Sequence, residues 1–380
     1  MSEGGSVRFV VEQKHLDTAL ARVRPAVRSP GGDLRALSHI LIEADGDSLR
    51  LTATNLEMTI RCQVPASVQV LGVALVPARL ADELIDSFPS GPVTAGMDGS
   101  ALVLSSGPYR CKLAALKAEE FPRLGPAGGT EVLADAAELR AAILGVEYAA
   151  ADDLARPVLR AIHMEALPGA IKLAAADGYR LAEASLPVDG SVDRLGANVP
   201  AAAMRAVASM LRGEGDTVAL RVSPERVEFR TSAGEIAAQT IEGDYPNYAA
   251  VLPTTWKSRA VVSCEELVDA LRVVSLFADT GYKKAAPGVR LEFGPGGVRV
   301  SASDAEKGTA QCLVACDLQG ELIAVAVNAR FIAEAIRAVP AHEAAIELTA
   351  PYAPIAVRPS EGSGPLAVVM PLDLQARGQV

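Results

Sequence analysis

FVVEQKHLDTALARV (9–23), EVLADAAELRAAILGV (131–146) and AVVSCEELVDALRVV (260–274) are one pattern written three times. In each, a β-rich run enters a helix. Leu16, Leu139 and Leu267 share a column, and so do Ala19, Ala142 and Ala270. Leu20, Ile143 and Leu271 follow, then Val23, Val146 and Val274. Within a copy these positions are i, i+3, i+4 and i+7, one apolar face of an α-helix. The copies are offset by 123 and then 128 residues. A second helix keeps those offsets: VPARLADELI from Val76, VPAAAMRAV from Val199 and VNARFIAEAI from Val327. A strand ending on a turn former also repeats, as LRLTATN to Asn55, IKLAAAD to Asp177 and VRVSASD to Asp304. A period this long describes three whole domains of one fold rather than a solenoid of short units.

The turn-rich or polar stretches RLGPAGGT (123–130) and LPTTWKSR (252–259) close the first two copies. The expected domains are 1–129, 130–254 and 255–380. Each reads β-α-β-β twice. In the first, a strand near 7–11 precedes a helix near 13–24, and ILIEA with LRLTAT makes a hairpin around DGDS. TIRCQVPA extends the sheet, and GVALVP leads into a helix near 78–88 with Pro77 in its first turn. A meander with Gly and Ser turns follows. Antiparallel strands with two helices on one face define an α+β fold, three tandem copies of one domain.

Composition narrows the function classes. Half of the residues are hydrophobic, largely Ala and Val, yet no stretch of about 18 runs without a charge or proline, so no membrane helix is expected. The N-terminal MSEGGSVRF is not a secretory signal, and a cytoplasmic protein is expected. Cys62, Cys111, Cys264, Cys312 and Cys316 form no CxxC and should be reduced and mostly buried. Cys312 and Cys316, an even number apart, should share one strand face as a core or interface pair. The net charge of −10 is unlike that of a sequence-specific DNA binder. A protein touching DNA only through an inner lining need not be basic overall, because net charge is a sum.

Enzyme signatures are absent. The four histidines form no HExxH, and GxSxG, P-loop and GxGxxG patterns are missing. No catalytic residue, cofactor or metal site is expected. GPGG (294–297) reads as a hairpin turn, Asp152 and Asp153 as a solvated loop, and Asp82, Glu83 and Asp86 as the solvated face of a helix. Arg22, Arg24 and Arg28 are the densest basic cluster. They read either as phosphate contacts or as ordinary surface arginines. On residues alone, a three-domain scaffold and an enzyme with an unrecognised site both stay open.

LTATNLEMTI (51–60), EEFPRL (119–124), AADGYRLA (175–182), IEGDYPNYAAVLP (241–253) and VVMPLDL (368–374) together resemble the bacterial sliding clamp, the β subunit of DNA polymerase III. Order and spacing match along essentially the whole chain. The resemblance implies a crescent of three domains, two of which join head to tail as a homodimeric ring around double-stranded DNA. It implies phosphate contact through helices, with Arg22, Arg24 and Arg28 as the best positions. It implies no chemistry, but a tether that raises a polymerase's local concentration. It further implies a hydrophobic cleft for short linear motifs of the polymerase III alpha subunit, the clamp loader, other polymerases and repair proteins. The matching cleft positions are Leu159, Ala176, Gly178, Tyr179, Arg180, Leu181, Pro246 and Val251. Tyr352, Pro354, Val368, Met370, Pro371, Leu372, Asp373 and Leu374 complete them. Dimer contact would lean on Cys111, Leu113, Leu276 and Phe277.

The chain departs from that pattern in four places. Asp373 replaces a basic residue, and QARGQV extends past Leu374. TAPYAPIAV puts Tyr352 and two prolines where small residues are common, which would narrow the pocket. VPAAAM lacks a basic pair after VP, and DAEKGTAQC carries fewer acids than the family's interface stretch. Tyr352, Pro354 and Asp373 together suggest a specialised clamp whose altered cleft avoids a competing peptide inhibitor.

Overall fold

A computed structural model describes residues 7–29, 31, 34–122, 125, 128–190, 195–211, 215–278 and 288–372. The fold falls into two compact units, one from 1–137 with 188–241, the other from 138–187 with 242–380. The first repeat supplies β1 (Arg8–Glu12), α1 (Gln13–Val23), β2 (His39–Asp45), β3 (Ser48–Thr54) and β4 (Met58–Pro65). It continues with β5 (Ser67–Val70), β6 (Gly72–Pro77), α2 (Ala78–Ser87), β7 (Pro92–Asp98), β8 (Ala101–Ser106) and β9 (Tyr109–Ala114). The second supplies β10 (Thr130–Asp135), α3 (Ala136–Val146), β11 (Ala161–Leu167), β12 (Ala170–Ala176) and β13 (Arg180–Pro187). After these come β14 (Leu195–Pro200), α4 (Ala201–Met210), β15 (Thr217–Val222), β16 (Arg226–Thr231) and β17 (Gly234–Gln239). The third supplies β18 (Ser258–Ser263), α5 (Cys264–Val274), β19 (Gly288–Gly294), β20 (Gly297–Asp304) and β21 (Gly308–Val314). It ends with β22 (Cys316–Gly320), β23 (Ile323–Asn328), α6 (Ala329–Arg337), β24 (Glu343–Leu348), β25 (Ile355–Pro359) and β26 (Leu366–Val369).

All twelve residues of the repeated helical columns are buried, the most exposed being Ala142 at 6%. The apolar stripe therefore positions α1, α3 and α5 as the pattern requires. The third turn-former column is equally regular. Asn55 Oδ1 accepts from the Glu57 and Met58 amides at 3.0 and 2.8 Å. Asp177 Oδ1 accepts from Tyr179 and Arg180 at 2.9 and 3.0 Å, and Asp304 Oδ1 from Glu306 and Lys307 at 2.8 and 2.9 Å. One Asx turn thus closes the same strand in every repeat, because a short polar side chain there satisfies two turn amides.

Three expectations need correction. Pro77 ends β6 and precedes the first turn of α2 instead of sitting in it. Of the cysteines only Cys62 is buried, and Cys312 is exposed. Cys312 and Cys316 do not share a strand face. The first lies on β21, which pairs with β20, and the second opens β22, which pairs with β18. The chain changes sheets between them, and that breaks the two-residue alternation.

In the first unit the strand orders are β5-β1-β7-β8-β9 and β10-β15-β16-β17-β4-β3-β2-β6. In the second they are β11-β12-β13-β26-β25-β24-β18-β22 and β21-β20-β19-β23. Adjacent repeats therefore share sheets, through β17 with β4 and β13 with β26. At the first junction Ile236 faces Ile60 inside, while Glu235 faces Arg61 outside and pairs with it at 3.8 Å. Gly234 opens β17 with φ +149°, and a Cβ there would collide with the Arg61 carbonyl. We expect Gly234→Ala to destabilise the fold by about 3 kcal/mol, read as a lower urea midpoint. An unchanged midpoint would mean that the junction tolerates a side chain.

Candidate functional site

The second repeat's Asx turn carries Gly178, Tyr179 and Arg180 of the expected set. Gly178 takes φ +90°, and a Cβ there would meet an Arg156 guanidinium nitrogen at 3.0 Å. Arg156 also donates to the Asp177 carbonyl at 2.9 Å. The turn therefore needs glycine for both conformation and space. Asp177 uses its second carboxylate oxygen to pair with Arg180 Nε at 2.9 Å. The Arg180 guanidinium also pairs with Glu334 of α6. Its flat face lies over the Phe331 ring at 4.3 Å and the Tyr148 ring at 5.5 Å. Arg180 is 7% exposed, so this charge is tolerated only because two carboxylates and two rings surround it. Burial pushes the Tyr148 pKa well above its usual value, and its hydroxyl has no partner among the described residues.

Part of the residue set expected from sequence is joined by backbone pairing within the second unit. The β13–β26 register sets Arg180 opposite Val369 and Leu181 opposite Val368. One step further, the Met370 amide donates to the Tyr179 carbonyl at 2.9 Å, and the Leu372 amide to that of Ala326 at 2.7 Å. Leu159, Leu181 and Val368 are buried. Tyr179, Tyr352, Val251 and Met370 are exposed apolar side chains at 65, 62, 51 and 41%. Ala176, Pro354, Pro371 and Leu372 are half-buried, and Pro246 is exposed. The Tyr245 ring stacks on His163 of β11 at 4.9 Å. A Cβ at Gly243 would meet the Val158 side chain, next to Leu159, at 3.9 Å. Asp373 and Leu374 lie outside the described residues.

The basic cluster is not brought together as three equivalent contacts. Arg22 donates to the Ala233 carbonyl at 3.5 Å, and Arg24 pairs with Asp82 at 3.3 Å. Asp82, expected to be solvated, is thus engaged. Arg28 is exposed, with no side-chain partner among the described residues. Of the dimer positions, Cys111 lies on the free edge strand β9, and Leu113 on the same strand is 2% exposed and spent in the core. Tyr109, Arg110 and Lys112 are what that edge displays. Leu276 is 69% exposed in the turn after α5, beside half-buried Phe277.

Sequence models of the DNA polymerase III beta subunit match this chain three times in order. The N-terminal domain covers residues 7–125, the central domain 134–247 and the C-terminal domain 249–373. The chain belongs to the DNA polymerase III beta subunit family. It is similar to the beta sliding clamp of Synechococcus elongatus, 27% identical over 383 residues, covering 97% of this chain and 100% of that protein. Similarity to the Caulobacter vibrioides clamp is 28% over 376 residues, covering 96% and 100%. Among solved structures, the C. crescentus clamp superposes with TM-score 0.88 at 27% identity over 98% of this chain and 100% of that one. The Pseudomonas aeruginosa clamp bound to griselimycin shares the fold, with TM-score 0.89 at 23% identity over 97% and 100%. As a member of the beta subunit family the chain is a sliding clamp of three tandem α+β domains, a non-enzymatic accessory subunit of DNA polymerase III.

Sequence reasoning missed Arg156, Tyr148, Phe331 and Glu334. One signal was present. Arg330 and Glu334 lie four apart on α6 and pair at 3.7 Å, as do Arg79 and Glu83 in the same columns of α2 at 2.8 Å. Nothing local announces that Glu334 also reaches Arg180, 154 residues away.

Asp177→Asn keeps the turn acceptor and loses the charge, so it should cost about 1–2 kcal/mol; Asp177→Ala loses both, at about 3–4 kcal/mol. Equal losses in urea unfolding would show that the ion pair adds nothing. Burial pushes the Tyr245 pKa up to about 12. An unfolded tyrosine ionises near 10, so the native state holds the extra proton and loses stability as pH rises from about 10 to about 12. Tyr245→Phe should flatten that alkaline decline in thermal melts, and an unchanged slope would assign it to other groups.

Proposed function

We propose that the chain is one protomer of a cytoplasmic, homodimeric ring that encircles double-stranded DNA without sequence preference and tethers its partners. The domains in this reading are 1–129, 130–254 and 255–380. The observation that carries it is a pair of unlike free sheet edges. β9 ends a sheet of the first repeat, and β21 ends a sheet of the third. Unlike edges meeting head to tail close a ring when the rotation per unit allows. Exposed Leu276 and Leu313, at 69 and 59%, add apolar surface to the third repeat's end. No helix among the described residues is long and apolar enough to cross a membrane.

The cleft around Asp177 is the docking site for short linear motifs of the polymerase III alpha subunit, the clamp loader, other polymerases and repair proteins. Buried Leu159, Leu181 and Val368 offer an apolar floor, and Met370 an adaptable wall. An extended peptide can set a Leu or aromatic anchor there while its backbone meets the exposed rim. The Tyr352 ring stands exposed just before Pro354 and supports an altered rim, hence a clamp specialised against a cleft-binding peptide inhibitor.

A labelled Gln-Leu-x-Leu-Phe peptide should bind in fluorescence polarisation, and Met370→Ala should weaken it roughly tenfold. Retention on closed circular DNA after loading, with release on linearisation, is the companion result. A folded dimer retained on neither circle nor line would overturn the ring reading. A cleft-directed inhibitor binding as tightly as the peptide would remove the specialised variant and leave the clamp.

A further inference from the structure

The two unlike sheet edges each carry a cysteine, Cys111 on β9 and Cys312 on β21. Each side chain lies on the core side of its own sheet. Leu113, two residues beyond Cys111, is buried. Ala310 and Val314, two residues either side of Cys312, pack into the third repeat's core. Cys111 is half-buried and Cys312 is exposed. The other three thiols are withdrawn. Cys62 is buried and donates to the Ala19 carbonyl at 3.5 Å, and burial pushes its pKa up to about 11. Burial raises the pKa of Cys264 and of Cys316 as well. A raised pKa keeps a thiol protonated and slow to react.

The backbone at both cysteines is turned the same way. In an antiparallel ladder every second pair is hydrogen-bonded. The Ala115 amide donates to the Ser100 carbonyl at 2.9 Å. In that register Cys111 and Leu104 are a bonded pair, so Cys111 spends its amide and carbonyl on β8. In the third repeat the two-residue turn Pro295–Gly296 closes β19 onto β20 at Gly294 and Gly297. The closing pair of such a turn is bonded. Alternation along β20 then turns Val300 toward β21, where its partner is Cys312. On the free side of its strand each cysteine therefore holds a non-bonded position. When two edges join antiparallel, non-bonded positions oppose one another and share a face. One register meets that condition while pairing all six residues of β9 within β21. It sets Cys111 opposite Cys312, flanked on the same face by Tyr109 opposite Val314 and Leu113 opposite Ala310. Opposed non-bonded residues have Cα atoms about 4.5 Å apart, within the span that a disulfide bridges.

We propose that Cys111 of one protomer and Cys312 of its partner form a peroxide-driven cross-link site that locks the ring closed. The inference rests on the ring reading above, because it needs β9 of one copy against β21 of another. In the free protomer Cys312 is exposed, and peroxide reaches it there. Its thiolate attacks one peroxide oxygen, the O–O bond breaks, and a sulfenic acid forms as water leaves. Closure then brings up Cys111. Its sulfur attacks the sulfenic sulfur, the S–S bond forms, the S–O bond breaks, and a second water leaves. Two thiols and one hydrogen peroxide thus give one disulfide and two waters. In a reducing compartment both thiols stay free, so the link appears only when peroxide rises. A ring opens by parting these edges, and the disulfide forbids that until a thiol reductant cleaves it.

The test uses the full chain. Sedimentation under dithiothreitol reports the non-covalent dimer, and non-reducing denaturing electrophoresis after hydrogen peroxide reports the covalent one. The wild-type chain should become a covalent dimer that dithiothreitol reverses, with Cys111 and Cys312 joined in the peptide map. Cys111→Ser and Cys312→Ser should each abolish the band, and Cys264→Ser should leave it. An equal mixture of Cys111→Ser and Cys312→Ser, allowed to exchange subunits, should regain about half of the wild-type band, because each mixed ring keeps one intact pair. A reduced dimer that peroxide fails to link overturns the proposal and leaves the ring reading standing. So does a link that survives Cys111→Ser or maps to two Cys312 residues. A reduced chain that sediments as a monomer and gives no covalent dimer strikes the ring reading, and the cross-link site falls with it.

Discussion

Every β-strand at the end of a sheet carries a row of unpaired amides and carbonyls, and this fold is arranged around where those rows go. The second repeat gives its edges away. β17 joins β4 of the first repeat, and β13 joins β26 of the third, each in a continuous antiparallel ladder. Inside each junction the apolar alternation is preserved, with Ile236 against Ile60 and Leu181 against Val368. Sequence repeats and packing units therefore differ: three copies are encoded, and two compact bodies result. The contact of Met370 with Tyr179 depends on this as well, because it forms only where β26 extends the sheet of β13.

Much of this was legible because it is local. The helical columns from Leu16 to Val274 need only a 3.6-residue period. The Asx turns need only a short polar side chain at the end of a strand. The twelve column residues are buried, and all three turns form. Leu181 and Val368 were set together only by the family resemblance, and they are register partners across β13 and β26, a long-range pairing that a single sequence cannot supply. What stayed hidden is non-local. Arg180 reads as one more basic residue in AADGYRLA, yet it is buried between Asp177 and Glu334 under two aromatic rings. Leu113 reads as an interface residue but fills the core. Cys312 and Cys316 look coplanar until the chain changes sheets between them.

The same Asx turn is used differently in the three repeats. In the first, Leu56 follows the capping residue with φ +77°, a conformation that a non-glycine residue rarely adopts. In the second that place is Gly178, and the space left by its missing side chain admits the Arg156 guanidinium. In the third, the Asp304 turn sits beside Lys307, whose ammonium reaches the Ala278 carbonyl at 2.8 Å. One local device thus admits a guanidinium only where glycine opens room beside it.

The paired arginines on the helical segments have a kinetic consequence. At Arg24, Arg79, Arg272 and Arg330 a carboxylate already occupies the place an incoming anion would take. Binding there is an exchange of one negative group for another, so its net gain is small and its reversal fast. At each of these positions an arriving anion meets a charge that is already balanced. What such an exchange gains or loses is the difference between two similar contacts rather than the full strength of either.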